Sequence, residues 1–166
     1  EDDTARDATW LYLGGHRRVR RLASGQTTDA FLGSDIMIED FIGYNGRLSD
    51  MTWTFHGARV ALLPFFDRSK ARLVDATQHQ QDGFKFVGFA GSGGCFPDVS
   101  WQLRPVYVLE AVPKAPEHPL SSRRFFVDAQ THAAAYGNLY DRNGNLWKIG
   151  YAAFAHPDTH LPENQG

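Results

Sequence analysis

The chain offers few residues whose types and spacing could carry out chemistry. Cys95 is the single cysteine. It has no histidine near it in sequence, so it reads as a small loop side chain before it reads as a nucleophile. The histidines stand at 16, 56, 79, 118, 132, 156 and 160. His156 and His160 have the i, i+4 spacing of a helical metal pair, but Pro157 and Pro162 argue against a helix there. His118, between Glu117 and Pro119, reads as a loop residue and not as a general base. Glu39 and Asp40, with Asp35 before them, could supply a carboxylate pair, although capping explains Asp35 more simply. Gly91-Ser-Gly-Gly lacks the Gly-Lys-Ser/Thr ending of a phosphate loop, and Ser92 is not in a Gly-x-Ser-x-Gly elbow. No catalytic residue, metal site or cofactor is therefore expected.

The other chemical feature is His16–Leu22, HRRVRRL, with four arginines in seven residues of a chain whose net charge is −2. A nucleic-acid binder is ordinarily strongly basic, so the balance argues against that reading. In a strand, Arg18, Arg20 and Leu22 share one face, and Arg17, Val19 and Arg21 the other. Such guanidinium groups can pair with carboxylates of the same chain or with an anionic headgroup, because arginine offers a bidentate fork.

The elements that must position these groups are mostly strands. With 166 residues and 42% hydrophobic content the chain suits one domain, expected over 1–155 with a flexible tail at 156–166. One cysteine excludes an internal disulfide. The sequence holds no apolar run long enough to cross a bilayer as a helix. It opens on Glu1 and not on Met, which reads as a product of processing or truncation.

Short β-branched and aromatic runs predict strands at 9–13, 18–22, 51–56, 58–63, 84–89, 106–111, 123–128, 134–140 and 146–151. Asn143-Gly144 predicts a hairpin turn, and His56-Gly57 a second reversal. Residues 35–42, DIMIEDFI, predict one short helix capped by Ser34 or Asp35 and closed by Gly43, with 37, 38, 41 and 42 on one face. Residues 91–97 read as a flexible loop, and 112–119 as a proline-rich connection. The fold class is mainly β, with an antiparallel sheet that curls into a barrel or half-barrel.

Five segments in order resemble a known family. They are WLYLGGHRRVRRL (10–22), FLGSDIMIEDFIGYNGRLSDMTWTFHG (31–57), WQLRPVYVLEAVPKAPEHP (101–119), SRRFFVDAQTH (122–132) and YDRNGNLWKIG (141–150). Together they are similar to the bacterial domain-of-unknown-function family 1329, grouped with outer-membrane lipoprotein-sorting, LolA-like proteins. The resemblance implies the C-terminal part of a longer protein and a curved antiparallel sheet or open half-barrel like LolA and LolB. It also implies the periplasm or outer-membrane periphery of a Gram-negative bacterium, and work alongside RND-type exporters. It carries no catalytic residues. The chain departs from the family pattern at the glycine-rich loop with Cys95 and at Leu120-Ser121.

Residues and resemblance together lead to the expectation of a non-enzymatic domain that binds a lipid or hydrophobic small molecule on a concave sheet face. Trp10, Tyr12, Trp53, Phe55, Phe86, Tyr107 and Trp147 are the candidates to line it, or else to form core beneath the short helix. Arg18 and Arg20 are candidates for a headgroup contact at the rim, with Arg104, Arg123 and Arg124 weaker ones. The competing readings are a structural module docking to an exporter or outer-membrane component, self-association through exposed sheet edges, and a hydrolase-like enzyme using Cys95 or a histidine.

Overall fold

Strand-forming side chains dominate the chain, and the computed structural model turns them into antiparallel sheets joined by turns. It describes residues 9–13, 17–22, 27–64, 73–75 and 85–152. The central sheet has five strands: β3 (Met51–Pro64), β8 (Trp101–Pro113), β9 (Leu120–Asp128), β10 (Ala134–Asp141) and β11 (Leu146–Tyr151). Their spatial order is β11-β10-β9-β8-β3, an open sheet with no closing pair among the described residues. Three small ladders accompany it. β1 (Thr9–Leu13) pairs with β2 (Arg18–Leu22), β4 (Leu73–Asp75) with β5 (Lys85–Val87), and β6 (Phe89–Ala90) with β7 (Phe96–Pro97).

The expected turn at Asn143-Gly144 is present. Gly144 has φ +80°, and the Asp141 carboxylate accepts from the Asn143 and Asn145 amides, both at 2.8 Å. These backbone bonds, the Asn145 amide first, hold the Asp141 carboxyl below its ordinary range.

Four expectations are corrected. His56-Gly57 is not a reversal, because β3 runs through it as one strand. Phe55 pairs with Leu109 and Ala58 with Tyr107, so two residues of β3 stand against Val108 alone. This is a β-bulge, and Gly57 supplies its positive φ of +90°. The single strand expected at 84–89 is instead β5 and β6, broken at Gly88, with Phe84 outside the described residues. The expected loop at 91–97 contains a 3-10 turn, Ser92–Gly94, and strand β7.

The fourth correction concerns residues 35–42. They form no α-helix but a bridge at Met37 and a 3-10 turn at Ile38–Asp40. The supposed apolar face does not hold together, since Met37 is buried while Ile42 is 91% exposed. Ser34 closes the preceding turn, its hydroxyl donating to the Phe31 carbonyl at 2.6 Å. Gly43 does leave in the left-handed region, at φ +87°, but Ile42 before it is also left-handed at φ +55°. A β-branched residue pays for that conformation without burial in return. Ile42→Gly is therefore expected to stabilise the fold by about 0.5–1 kcal/mol, read as a rise in Tm on thermal unfolding.

The core lies on both sides of the sheet. On one side Leu63, Val106, Val108 and Ala135 form a buried cluster with Ala61, Phe126 and Tyr136 packed against it. Leu63 of β3 and Ala135 of β10 thus belong to one cluster, with Val106 and Val108 of β8 between them. The Trp101 and Tyr151 rings, from β8 and β11, meet at 5.7 Å. On the other side Met51, Ala111 and Phe125 are buried beneath residues of the segment 27–50.

Candidate ligand-binding surface

Alternation along β3 and β8 decides what each side presents. Leu62 lies against Leu103, Val60 against Pro105, Ala58 against Tyr107, and Phe55 against Leu109. Below the bulge odd-numbered β3 residues face this side, and above it even-numbered ones do. The bulge thus keeps a continuous apolar strip on one side of two strands. Phe55, Val60, Leu62, Leu103 and Tyr107 are between 39% and 74% exposed. Phe55 and Tyr107 meet edge to face at 6.0 Å. From Leu109 to Leu103 the strip runs roughly 20 Å, at about 3.3 Å per residue.

At its far end the strip meets a groove of about 410 Å³ lined by Leu62, Gly91, Phe96, Asp98, Val99 and Trp101, among others. The β6–β7 hairpin builds its wall. The Trp101 indole N–H donates to the Pro97 carbonyl at 3.3 Å, which fixes that ring. Phe96 stands 6.1 Å from it. Gly91, at φ +79°, allows the approach of Phe96: a Cβ there would come within 3.0 Å of the Phe96 ring.

At the opposite end the same side is covered by the segment 27–50, which buried charges hold in place. Arg123 is fully buried, and its Nη2 donates to Glu39 Oε1 while Nη1 donates to Asp40 Oδ1 at 2.6 Å. Lys148 Nζ donates to Asp40 Oδ2 at 2.9 Å and to the Asp35 carbonyl at 2.6 Å. The buried His118 completes the cluster. Its Nδ1 accepts the Leu120 amide at 3.0 Å, so the hydrogen is assigned to Nε2, which donates to Glu39 Oε1 at 2.8 Å.

Two cations thus meet two carboxylates, with the Arg123 guanidinium 5.4 Å from the Tyr44 ring centre. Burial raises the Asp40 carboxyl, but the Met37 amide, Lys148 and Arg123 together hold it below its ordinary range. Burial, helped by the charge on Glu39, pushes the Tyr44 hydroxyl up to about 12.

The sequence candidates separate over this framework. Trp53, Phe55 and Tyr107 share one side of the sheet. Trp53 belongs to the covered end, stacked on Phe125 at 5.8 Å, with its indole N–H donating to the Leu48 carbonyl at 2.9 Å. Phe55 and Tyr107 lie in the open strip. Trp147 stands on the edge strand β11, with Lys148 Nζ 4.3 Å from its ring centre. Trp10 and Tyr12 are exposed on β1. Phe86 lies in β5, and Arg18 and Arg20 in β2, but their side chains are outside the described residues.

The weaker arginine candidates are all paired. Arg123 is in the buried cluster, Arg104 bonds Asp128 through two nitrogens at 2.8 and 3.0 Å, and Arg124 meets Glu110 at 3.2 Å. His56, at 2.9 Å, and then Arg124 hold the Glu110 carboxyl low, on the side opposite the strip.

Sequence reasoning missed Val60, Leu62 and Leu103, because a two-strand hairpin at His56-Gly57 hides their register with Phe55. It also missed the meeting of Glu39, His118 and Arg123. Among the described residues no group of three His, Cys, Asp or Glu side chains is placed to hold a metal ion, and no helix is long and apolar enough to cross a membrane.

The fold has counterparts among solved structures. One crystal structure, of a "putative outer membrane lipoprotein-sorting protein domain" from Vibrio parahaemolyticus, superposes with a TM-score of 0.52 at 18% identity, over 93% of this chain and 48% of that one. A DUF1329 family protein from Desulfovibrio piger gives a TM-score of 0.47 at 19% identity, over 88% of this chain and 44% of that one. An uncharacterized protein, PA3922, of Pseudomonas aeruginosa is 28% identical over 151 residues, which is 86% of this chain and 30% of that protein. The chain thus spans under a third of the length of that curated relative. The family described as "Protein of unknown function (DUF1329)" matches residues 1–165, and with the mainly β, open antiparallel sheet already in view, the chain belongs to that family.

Proposed function

We propose that this chain binds a lipid or other hydrophobic molecule along the β3–β8 strip, and that it binds its ligand without converting it. The observation that carries the reading is the strip itself. Exposed apolar side chains are normal when scattered, but a contiguous row on one side of two paired strands marks an interaction surface. Its length of roughly 20 Å exceeds the ~15 Å depth of one leaflet of a bilayer core, so a single acyl chain could lie along it. Burial would drive binding at ~25 cal/mol per Å² of apolar surface, with few polar groups needed. The lipoprotein-sorting description of the Vibrio parahaemolyticus domain supports an envelope setting, in the periplasm or at the outer-membrane periphery. Service to an RND-type exporter is the finer form of this reading.

The test is direct. A neutral fluorescent probe, N-phenylnaphthylamine, should brighten on binding, and native mass spectrometry of the purified protein should show co-purifying lipid. Val60→Glu and Leu103→Glu are each expected to weaken probe binding at least tenfold, from about 1.5–3 kcal/mol of lost apolar contact, with little change in Tm because both sites are exposed. Unchanged probe binding in both variants would sink the reading.

A second reading rests on the position of β3 at the end of the sheet order. An edge strand can pair with a strand of another chain, so the same region could dock to an exporter or outer-membrane component, or to a second copy. Proline substitutions along the β3 edge would then abolish assembly while leaving probe binding intact.

A further inference from the structure

The groove at the end of the strip differs from the rest of it in one respect. Among apolar and aromatic walls it includes a single charged residue, Asp98. The Asp98 amide donates to the Gly88 carbonyl at 2.7 Å, which fixes the backbone. Its carboxylate meets no cation among the described residues. The arginines nearest along the paired strands are engaged elsewhere. Arg104 is held by Asp128, and Arg59 Nη1 donates to the Ala58 carbonyl at 2.8 Å.

Beside Asp98 stand two aromatic rings, Phe96 and Trp101, inclined at 66° to one another. Tyr151 adds a third, 6.1 Å from Phe96 and 5.7 Å from Trp101. A half-exposed carboxylate that meets no cation among the described residues, set in an open and mostly apolar groove, attracts positive charge, and ring faces attract it too through their quadrupoles. Together they repel a carboxylate or phosphate headgroup.

From this we infer that the groove selects the cationic head of an amphiphile, an alkylammonium or lipophilic amine, with Asp98 as its counter-ion and Phe96 and Trp101 as its aromatic walls. The hydrocarbon tail then lies over Leu62, Leu103 and Val60. The inference rests on the hydrophobic-ligand reading and adds the charge class of the ligand to it.

Calorimetric titration with three amphiphiles sharing a dodecyl-length tail, each below its micelle concentration, separates the two claims. Dodecyltrimethylammonium should bind about tenfold more tightly than dodecyl maltoside, and dodecanoate more weakly than either. Asp98→Asn should remove the preference for the cation, about a tenfold loss, and leave the maltoside affinity unchanged. Gly91→Ala should also weaken the cation, because the added Cβ displaces Phe96. Equal affinities for all three amphiphiles, or an Asp98→Asn protein that still prefers the cation, overturn the inference and leave the hydrophobic-ligand reading standing. If even the maltoside fails to bind, both fall.

Discussion

Arg123→Ala should cost about 3–5 kcal/mol of stability, because it leaves the buried Glu39 and the nearly buried Asp40 without their shared cation. Urea unfolding measures this as a fall in midpoint with little change in slope. The loss should be strongly coupled to Glu39. With both residues replaced by methionine, the combined cost is expected to be smaller than the sum of the single costs by about 0.5–3 kcal/mol, since neither charge is then stranded. Costs that simply add would mean that the two side chains do not act as a pair. The segment 27–50 is the reporter of this effect. Its amides, such as that of Glu39 bonded to the Thr27 carbonyl at 3.1 Å, should lose hydrogen-exchange protection before those of β8 do.

Asp128→Ala is the second large effect. The buried Asp128 carboxylate takes two bonds from Arg104 and three more from the Gln130 amide, the Thr131 amide and the Thr131 hydroxyl, so it ties β8 to the β9–β10 turn. Removing it should cost about 2–4 kcal/mol through the stranded donors. The side chain also governs behaviour in acid. Arg104 bonding, against the opposing effect of burial and with help from Thr131, holds the carboxyl far below its ordinary value of 3.8. A depressed folded-state value means that the stabilisation is present above the unfolded value and is lost as pH falls below it. Wild-type stability should therefore drop steeply below about pH 4, while the Asp128→Asn protein, already weaker at neutral pH, should show a shallower acid limb. Parallel acid limbs for the two proteins would contradict this role.

Strands whose pattern is purely local were legible in the sequence. Thr9–Leu13, Arg18–Leu22 and Leu146–Tyr151 have the expected bounds, and Asn143-Gly144 turns where its backbone freedom suggests. The antiparallel character of the sheet followed from that spacing, while its openness was what the family resemblance implied. Residues 51–63 were harder, because their alternation changes phase at His56-Gly57. A glycine at a phase break can mean a reversal or a bulge, and only the pairing of β3 with β8 along its full length decides between them.

The candidate site was legible in part for the same reason. Phe55 and Tyr107 were visible as aromatic strand residues, whereas Val60, Leu62 and Leu103 gain meaning only through register. The buried cluster lay further out of reach. Glu39 and Asp40 stood out as neighbouring carboxylates and Arg123 as a cation, yet their contact depends on the whole sheet being in place. The helix expected at 35–42 failed because tertiary charge pairing outweighed a weak local preference.

The way the segment 27–50 is anchored bears on the order in which the protein forms. Asp40 meets Arg123 across 83 positions and Lys148 across 108, while Glu39 meets His118 across 79. During synthesis from the N-terminus, the acidic turn emerges long before any of its basic partners exists. Contacts of such long sequence separation form slowly, after loop-closure entropy has been overcome. The cover over Trp53 and Phe125 accordingly has none of its anchors until His118 and Arg123 are made, and its last one, Lys148, arrives with β11, which makes its closure a late step of folding.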